Sequence, residues 1–452
     1  MRLRKTITTI VATAILLAGW QLFAVIANQP ELIPSLPRLV RTLCEWLVSS
    51  SFYQSVGATI LRGILGMSIS FVCAIGMAGL FARFEWVYEL FRPLLAIMRS
   101  IPVISFILLA LIFLNPESIP LMIAFLTMFP LLTENLTRGI LDLRPGLSIM
   151  ARQFHIRRSN VLFQIIYPQL KPFLYSGLAS AAGFGWRAII MGEVLSQCAF
   201  GIGSEMKRAQ NFIAVPELLA WTIVAVFISF FFDKGISKVA DITPKISFAN
   251  EDQTIPTPTL SVLDTKDISY QYGIQHFSHS FQKGIIYGIS APSGKGKTTL
   301  LNLIGGILLP TEGEIHPTRH FGIATIFQQP QLLPYLTAEE NIILPLSSFL
   351  TEEKARRIAQ KHLQEMEMEP FGNRYPKELS YGQQQRIAIA RALAYPSPLL
   401  LMDEPFKGLD EALSHRIIER IREKQMKEER IILFTSHNPD EIRLLADEVI
   451  YL

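Results

Sequence analysis

The stretch IYGISAPSGKGKTTLLNLIGG, residues 286–306, decides how the rest of the chain is read. An apolar run of β type, Ile285 to Ile289, leads into a glycine-rich turn. Lys297, Thr298 and Thr299 follow, and then an apolar helical run. Strand, glycine loop and helix in that order are the context in which a backbone wraps its N–H groups around phosphate. Gly294 and Gly296 let those groups turn inward with no Cβ in the way. The helix beginning near Lys297 adds the positive end of its dipole. Lys297 has the reach for β- and γ-phosphates, and the Thr298 hydroxyl suits a Mg²⁺ position. The opening position of the pattern, ordinarily glycine, holds Ala291. Alanine is accommodated there if its φ is negative and strained if φ is positive. A glycine turn that binds nothing is the alternative for this motif taken alone.

Working outward, the chain is 452 residues long, enough for two or three domains. It is 50% hydrophobic and only 18% charged, with a mean hydropathy of +0.32, too apolar for one soluble protein of this size. The apolar residues are unevenly spread: long runs fill 7–236, whereas 247–452 reads as ordinary α/β sequence. A net charge of +4 is too mild to argue for nucleic acid, and basic residues flanking membrane spans account for much of it. Cys44, Cys73 and Cys198 have neither metal-ligand nor redox-motif spacing. They read as small apolar side chains.

In the N-terminal half, residues 6–27 follow the basic cluster Arg2, Arg4, Lys5. The run exceeds a signal-peptide core and reads as a retained span rather than a cleaved one. Further spans are expected near 57–81, 93–114, 119–137, 173–197 and 216–236, about six in all on a ~20-residue criterion. Residues 31–50 are too polar to span and are expected at the outer surface. Arg83, Arg92, Arg138, Arg144, Arg152, Arg157, Arg158, Lys171, Lys234 and Lys238 then fall on the inner side, against Arg38, Arg41, Lys207 and Arg208 outside. This bias puts the N-terminus and the C-terminal half in the cytoplasm. Arg62, Arg187 and Glu193 lie in or at the ends of apolar spans, where an ionisable group either serves function or pairs within the bundle. Trp186 reads equally well as an interfacial anchor.

Residues 142–172, DLRPGLSIMARQFHIRRSNVLFQIIYPQLKP, are polar and basic, helical in the middle and closed by Pro168 and Pro172. A helix of this kind is what a membrane domain needs to dock on a motor domain; a solvated basic loop is the alternative. The segment resembles the cytoplasmic loop of ABC importer permeases, whose pattern is an EAA triplet, a glycine and a closing Ile-x-Leu-Pro. Ala151, Ile165 and Pro168 fit it, while Ile149, Met150 and His155 replace the Glu, the first Ala and the Gly. LIPSLPRLV (32–40), RSIPVISFILLALIF (99–113) and GWRAIIMGEVL (185–195) are similar to permeases of the nitrate, sulfonate, taurine and thiamine-precursor importers.

Residues 243–259 combine Pro, Thr, Asn and charge without periodicity and read as a tether. From Leu260, short β-rich runs alternate with amphipathic helices, an α/β pattern. Here the chain resembles the ABC ATPases, and the following roles are what that resemblance implies. Tyr272 would stack on adenine. Ser293, Gly294, Lys295, Gly296, Lys297, Thr298 and Thr299 would hold the phosphates of ATP. Gln328 would touch Mg²⁺ or the attacking water. Ser380, Gly382 and Gln383 of LSYGQ form the signature, with Tyr381 where a Gly is usual. Asp403, at the end of LLLMDE, would hold Mg²⁺ together with Thr298 and Gln328; Glu404 would be the general base. Asp410 closes a D-loop, and His437 would contact the γ-phosphate. Between Thr299 and Gln328 the chain is short, so a strand pair is expected to be trimmed.

These readings combine into an α-helical membrane domain of the type I importer kind (1–242), a linker (243–259) and an α/β P-loop NTPase domain of ABC type (260–452). The implied activity is ATP-driven import of a small solute across the cytoplasmic membrane. The expected partners are Mg²⁺, membrane lipid, a second copy of the chain and a separate periplasmic or lipid-anchored binding protein, with no nucleic acid. An ABC exporter half, a non-transporting mechanotransmission complex and a degenerate ATPase are the competing readings.

Overall fold

The structure is a computed structural model. It describes the chain except for residues 1, 241–243, 254–259, 272, 293 and 318–321, and except for the side chains of 2–6, 9, 10, 239 and 240. It divides into two compact units, Met1–Leu143 with Gln169–Thr243, and Arg144–Pro168 with Pro244–Leu452.

The first unit is helical. Among the described residues four helical stretches are long and apolar enough to cross a membrane: Ser50–Arg83, Pro116–Leu141, Arg158–Ser196 and Val215–Lys238. A further apolar stretch, Val11–Ala27, lies in the first helix. The span expected at 93–114 is not one straight helix. It is a pair, Glu85–Ser100 and Val103–Phe113, bent by 94°. Pro102 explains the break, because a residue before proline is pushed out of the α region. Ile101 accordingly sits at φ −71, ψ 129. Neither piece alone reaches across ~30 Å of hydrocarbon at 1.5 Å per residue.

Small residues let these helices approach. A Cβ on Gly66 would stand 2.7 Å from that of Ala124, so the helices Ser50–Arg83 and Ile119–Leu141 pack nearly backbone to backbone. Within residues 31–50 an amphipathic helix, Leu36–Trp46, stacks Trp46 on Trp221 with centroids 4.6 Å apart. Trp186 is core rather than an interfacial anchor: it is buried and its indole N–H donates to Ala225 O at 3.2 Å.

Glu193 is fully buried, and its carboxylate pairs with Arg62 at 2.7 Å and accepts from the Gly203 N–H at 2.9 Å. Arg62 also reaches Glu117 at 2.6 Å. The two intramembrane charges therefore pair within the bundle, which lowers the cost of holding either one there.

The second unit is α/β. A three-stranded antiparallel sheet, order β2-β1-β4, uses β1 (Val262–Tyr270), β2 (Ile274–Gln282) and β4 (Glu312–His316). A five-stranded parallel sheet has the order β5-β6-β7-β3-β8. Its strands are β3 (Ile286–Ser290), β5 (Ala324–Ile326), β6 (Leu399–Asp403), β7 (Ile431–Thr435) and β8 (Glu448–Tyr451). Strand β3 lies between β7 and β8, which is why its side chains form a continuous apolar run. Only β4 and β5 occur between Thr299 and Gln328 among the described residues, so this part of the fold is sparse.

Residues 144–168 belong to this second unit by contact, although in sequence they run from helix Ile119–Leu141 into the first part of the stretch Arg158–Ser196. Leu147, Met150, Ala151, Phe154 and Ile165 are buried in the same apolar core as Ile326, Ile343 and Ile387. Helix Pro145–Gln153 ends in two backbone bonds, Ile156 N–H to Ala151 O (3.0 Å) and His155 N–H to Arg152 O (3.2 Å). That pairing is a Schellman cap, which calls for a left-handed residue next, and His155 has φ +46. The glycine of the permease pattern is therefore replaced at a place where glycine is favoured. Pro168 and Pro172 do not close the segment. The chain runs helically from Arg158 to Ser196, with a wide π turn at Val161–Ile166 just before both prolines. A π turn changes the hydrogen-bond step, and so accommodates residues that lack an N–H.

Part of the expected tether is equally bound. Asn160 donates to Ser247 O and to Ser347 Oγ, both at 2.8 Å. Arg157 donates to Phe248 O at 3.1 Å. Ala249 is buried, and its N–H reaches Ser347 O at 3.1 Å. Apolar side chains at 246, 248 and 249 anchor what composition alone makes look like a loose linker.

Candidate active site

The C-terminal ends of β3, β6 and β7 converge, the usual place for a ligand on a parallel sheet. From β3 the chain enters the glycine loop, with φ +82 at Gly294 and +91 at Gly296. A Cβ on Gly296 would stand 2.6 Å from Gly273 O, so only glycine serves there. Ala291 is not among the positive-φ residues, so alanine is unstrained at that position. Helix Lys297–Ile304 starts immediately after the loop. Lys297 is buried, and its ammonium donates to Ala291 O at 2.6 Å, held on the loop it would serve.

Strands β6 and β7 put Asp403 beside Thr435. Thr435 donates to Asp403 Oδ1 at 2.8 Å and Thr298 donates to Oδ2 at 2.9 Å. Burial pushes the Asp403 carboxyl up, against the downward pull of these two hydroxyls. The Glu404 N–H donates to Thr435 Oγ1 at 3.1 Å, and Glu404 itself sits at φ +50. A left-handed glutamate is a strained residue, and strain of this kind gathers where function requires it.

The Glu404 carboxylate meets His437 Nε2 at 3.0 Å and Lys407 Nζ at 3.1 Å. Burial pushes its pKa up, but Lys407, the Gln328 amide and the charge of His437 outweigh that and hold it below the ordinary glutamate value. Gln328, Glu404 and His437 are thus brought together. A cavity of about 290 Å³ opens beside them, lined by Thr298, Gln328 and Asp403 among others.

The signature residues sit elsewhere. Ser380 caps helix Tyr381–Ala394 in a reciprocal box with Gln383 (Ser380 N–H to Gln383 Oε1 2.9 Å, Gln383 N–H to Ser380 Oγ 3.3 Å). Gly382 lies against Gly408, where a Cβ would come 2.7 Å from the carbonyl oxygen. Among the described residues, no hydrogen bond links Ser380, Gly382 or Gln383 to the glycine loop. Tyr381 is exposed and donates to Gln328 O at 2.8 Å. Asp410 caps helix Glu411–Glu428 through the Leu413 N–H at 2.9 Å. Lys295 lies on the loop and Thr299 on its helix, while Tyr272 and Ser293 fall outside the described residues. Thr435 and Lys407 were not read from the sequence. Thr435 ends an apolar strand just ahead of Ser-His, which is a usable signal, whereas an exposed lysine like Lys407 gives none.

Residues 274–407 match the family model described as ABC transporter, and residues 55–233 match the one described as binding-protein-dependent transport system inner membrane component. An uncharacterized ABC transporter ATP-binding protein of Methanocaldococcus jannaschii is 34% identical over 201 residues, covering 40% of this chain and 85% of the relative. The chain belongs to the ABC transporter family. It joins an importer-type permease domain to an ABC ATPase domain, and ATP hydrolysis coupled to transport is the chemistry of that pairing. Iron(III) import and glucose import ATP-binding proteins, from Rhizobium etli and Saccharolobus solfataricus, are each 35% identical over 40% and 38% of this chain. The match spans about half their length, 54% and 52%. A solved dimeric cassette bound to ADP and phosphate shares 32% identity, covering 42% of this chain and 94% of its own, with a TM-score of 0.40.

Proposed function

We propose that this protein works as a pair of identical chains that import a small solute across the cytoplasmic membrane, the solute being delivered by a separate binding protein. The observation that carries the reading is residues 144–168. They lie within the stretch similar to binding-protein-dependent permeases, yet fold into the ATPase unit. Motion of the ATPase therefore has a covalent path to the membrane helices on both sides of that segment.

Each chain holds one glycine loop and one signature, and the signature residues make no hydrogen bond to the loop of their own chain among those described. Two copies set head to tail complete two ATP sites, with Ser380, Gly382 and Gln383 offering donors at a helix start to the partner's nucleotide. Thr298 and Asp403, with Gln328 at hand, form an all-oxygen donor set that suits Mg²⁺. When bound, Mg²⁺ would neutralise charge on the phosphates. Lys297 and the backbone of 294–296 cradle them, Glu404 takes the proton of the attacking water and His437 orients Glu404.

Closure of the ATPase pair draws residues 144–168 along and turns the spans from inward-open to outward-open. Hydrolysis resets them. The match to a binding-protein-dependent permease favours this reading over an exporter half or a mechanotransmission complex. The test is uptake of labelled solutes into proteoliposomes with and without the binding protein, alongside ATPase assays. Glu404→Gln is expected to abolish both hydrolysis and uptake. Uptake that proceeds equally without a binding protein overturns import of this kind, and hydrolysis undiminished in Glu404→Gln removes Glu404 as the base.

A further inference from the structure

Arg391 lies on helix Tyr381–Ala394, which begins at the signature, and is only 1% exposed. No carboxylate pairs with it among the described residues. Burial alone pushes its pKa down, to about 9, so it stays charged at neutral pH. An uncompensated buried guanidinium is costly, and its Nε has no hydrogen-bond partner among the described residues. What it holds is specific. One Nη donates to Gln331 O at 2.8 Å and the other to Pro330 O at 2.9 Å. Its Cζ stands 5.4 Å from the ring centroid of Phe154, which is itself fully buried and edge-on to Tyr395 at 5.2 Å.

The two carbonyls belong to the loop that follows Gln328. Gln331 sits at φ +45, a left-handed conformation that a non-glycine residue keeps only when something holds it. Its side chain rests on the start of helix Pro145–Gln153. A Cβ on Gly146 would come 2.5 Å from Gln331 Oε1. Three elements therefore meet around one guanidinium: the signature helix that bears it, the loop after Gln328, and the segment 144–168, whose Phe154 faces the guanidinium while Gly146 lies against the Gln331 side chain. Charge-assisted bonds to the two carbonyls are strong enough to offset the turn's strain.

We propose that Arg391 is a positioning residue: it clamps the loop after Gln328 in its left-handed turn against Gly146 and Phe154, so that signature helix, Gln328 and residues 144–168 move as one body. The inference deepens the reading of 144–168 as the transmission segment and rests on it.

The test uses the full-length protein in lipid nanodiscs, with Cys44, Cys73 and Cys198 replaced and cysteines put in by Gly146→Cys and Gln331→Cys. Cross-linking by a short bifunctional thiol reagent reports the contact, and ATPase kinetics report its consequence. Arg391→Met is expected to cut the cross-linking yield severalfold. It should lower kcat by roughly tenfold to a hundredfold, the usual cost of a displaced catalytic group, with KM for ATP little changed. Arg391→Lys, which keeps the charge but not the fork, should restore part of both, and Phe154→Leu should fall between. Cross-linking and kcat at parental levels in Arg391→Met overturn the proposal. So does a uniform loss of thermal stability, kcat and KM in every variant with cross-linking intact. Should Arg391→Met fail to fold, Arg391→Lys and Phe154→Leu decide, and parental values in both overturn the clamp. Failure of the parent pair to cross-link would instead overturn the docking of 144–168 itself.

Discussion

Glu404, the proposed base, takes its conformation and charge state from its neighbours. It sits at φ +50, with its N–H on Thr435 and its carboxylate shared between His437 and Lys407. Lys407 is the strongest of the influences that lower its pKa, and burial opposes them. Lys407→Met should therefore let burial prevail and move the acid limb of the kcat–pH profile to higher pH, with the alkaline limb in place. An acid limb that stays put would show that Lys407 does not tune the base. Ala291 gives a quieter prediction. Its backbone avoids the left-handed region and only its carbonyl is used, by Lys297. Ala291→Gly should then leave KM for ATP unchanged and lower stability by about 0.5 kcal/mol through the freer unfolded chain. A drop in KM on that substitution would mean that the loop needs glycine after all. The residues of the candidate site can be picked out in sequence because phosphate chemistry restricts them to few types at fixed offsets from a strand and a helix. Lys407 cannot, since an exposed lysine carries no pattern until a fold brings it to a carboxylate.

At the scale of elements, helices and strands could be read where apolar runs are long, and misread where proline had two possible meanings. Pro102 does break its helix, whereas Pro168, which follows a π turn directly, and Pro172, inside the α-helix Tyr167–Ser196, do not. Sequence periodicity carries no mark of such a turn. Hydrophobicity likewise hides the fate of residues 244–253: they lack a period because they run as an extended strap whose Ile246, Phe248 and Ala249 insert singly. His155 is the sharpest case. The permease pattern has glycine there, and the Schellman cap of Pro145–Gln153 explains the preference. His155→Gly should raise the melting temperature, by the equivalent of about 1 kcal/mol, since a non-glycine residue pays that much or more to sit in the left-handed region. His155→Val should lower it. A loss of stability with glycine would place the importance of His155 in its side chain rather than in its backbone.

For the molecule as a whole, the telling result is that chain order and spatial grouping differ. Apolar side chains from the permease stretch, Leu147, Met150, Ala151, Phe154, Ile156 and Ile165, share the core of the ATPase unit. Expressed alone, residues 244–452 should expose the seat of Leu147, Met150 and Phe154 and aggregate, or melt well below the same piece linked to residues 144–168. Light scattering and thermal unfolding of the two pieces check this, and equal behaviour would show that the seat closes by itself. No pattern in the sequence announces such an arrangement. The basic, helical character of 142–172 suggested docking, but only packing shows that Phe154 becomes core.

Threading one segment into a domain encoded much later also sets a timetable for synthesis. Phe154 leaves the ribosome long before Tyr395, against which its ring will rest. At the usual 5–20 residues per second the delay is roughly 10 to 50 seconds. Throughout that interval the apolar side chains of an otherwise basic segment, held between two nascent spans, lack the partners that later bury them.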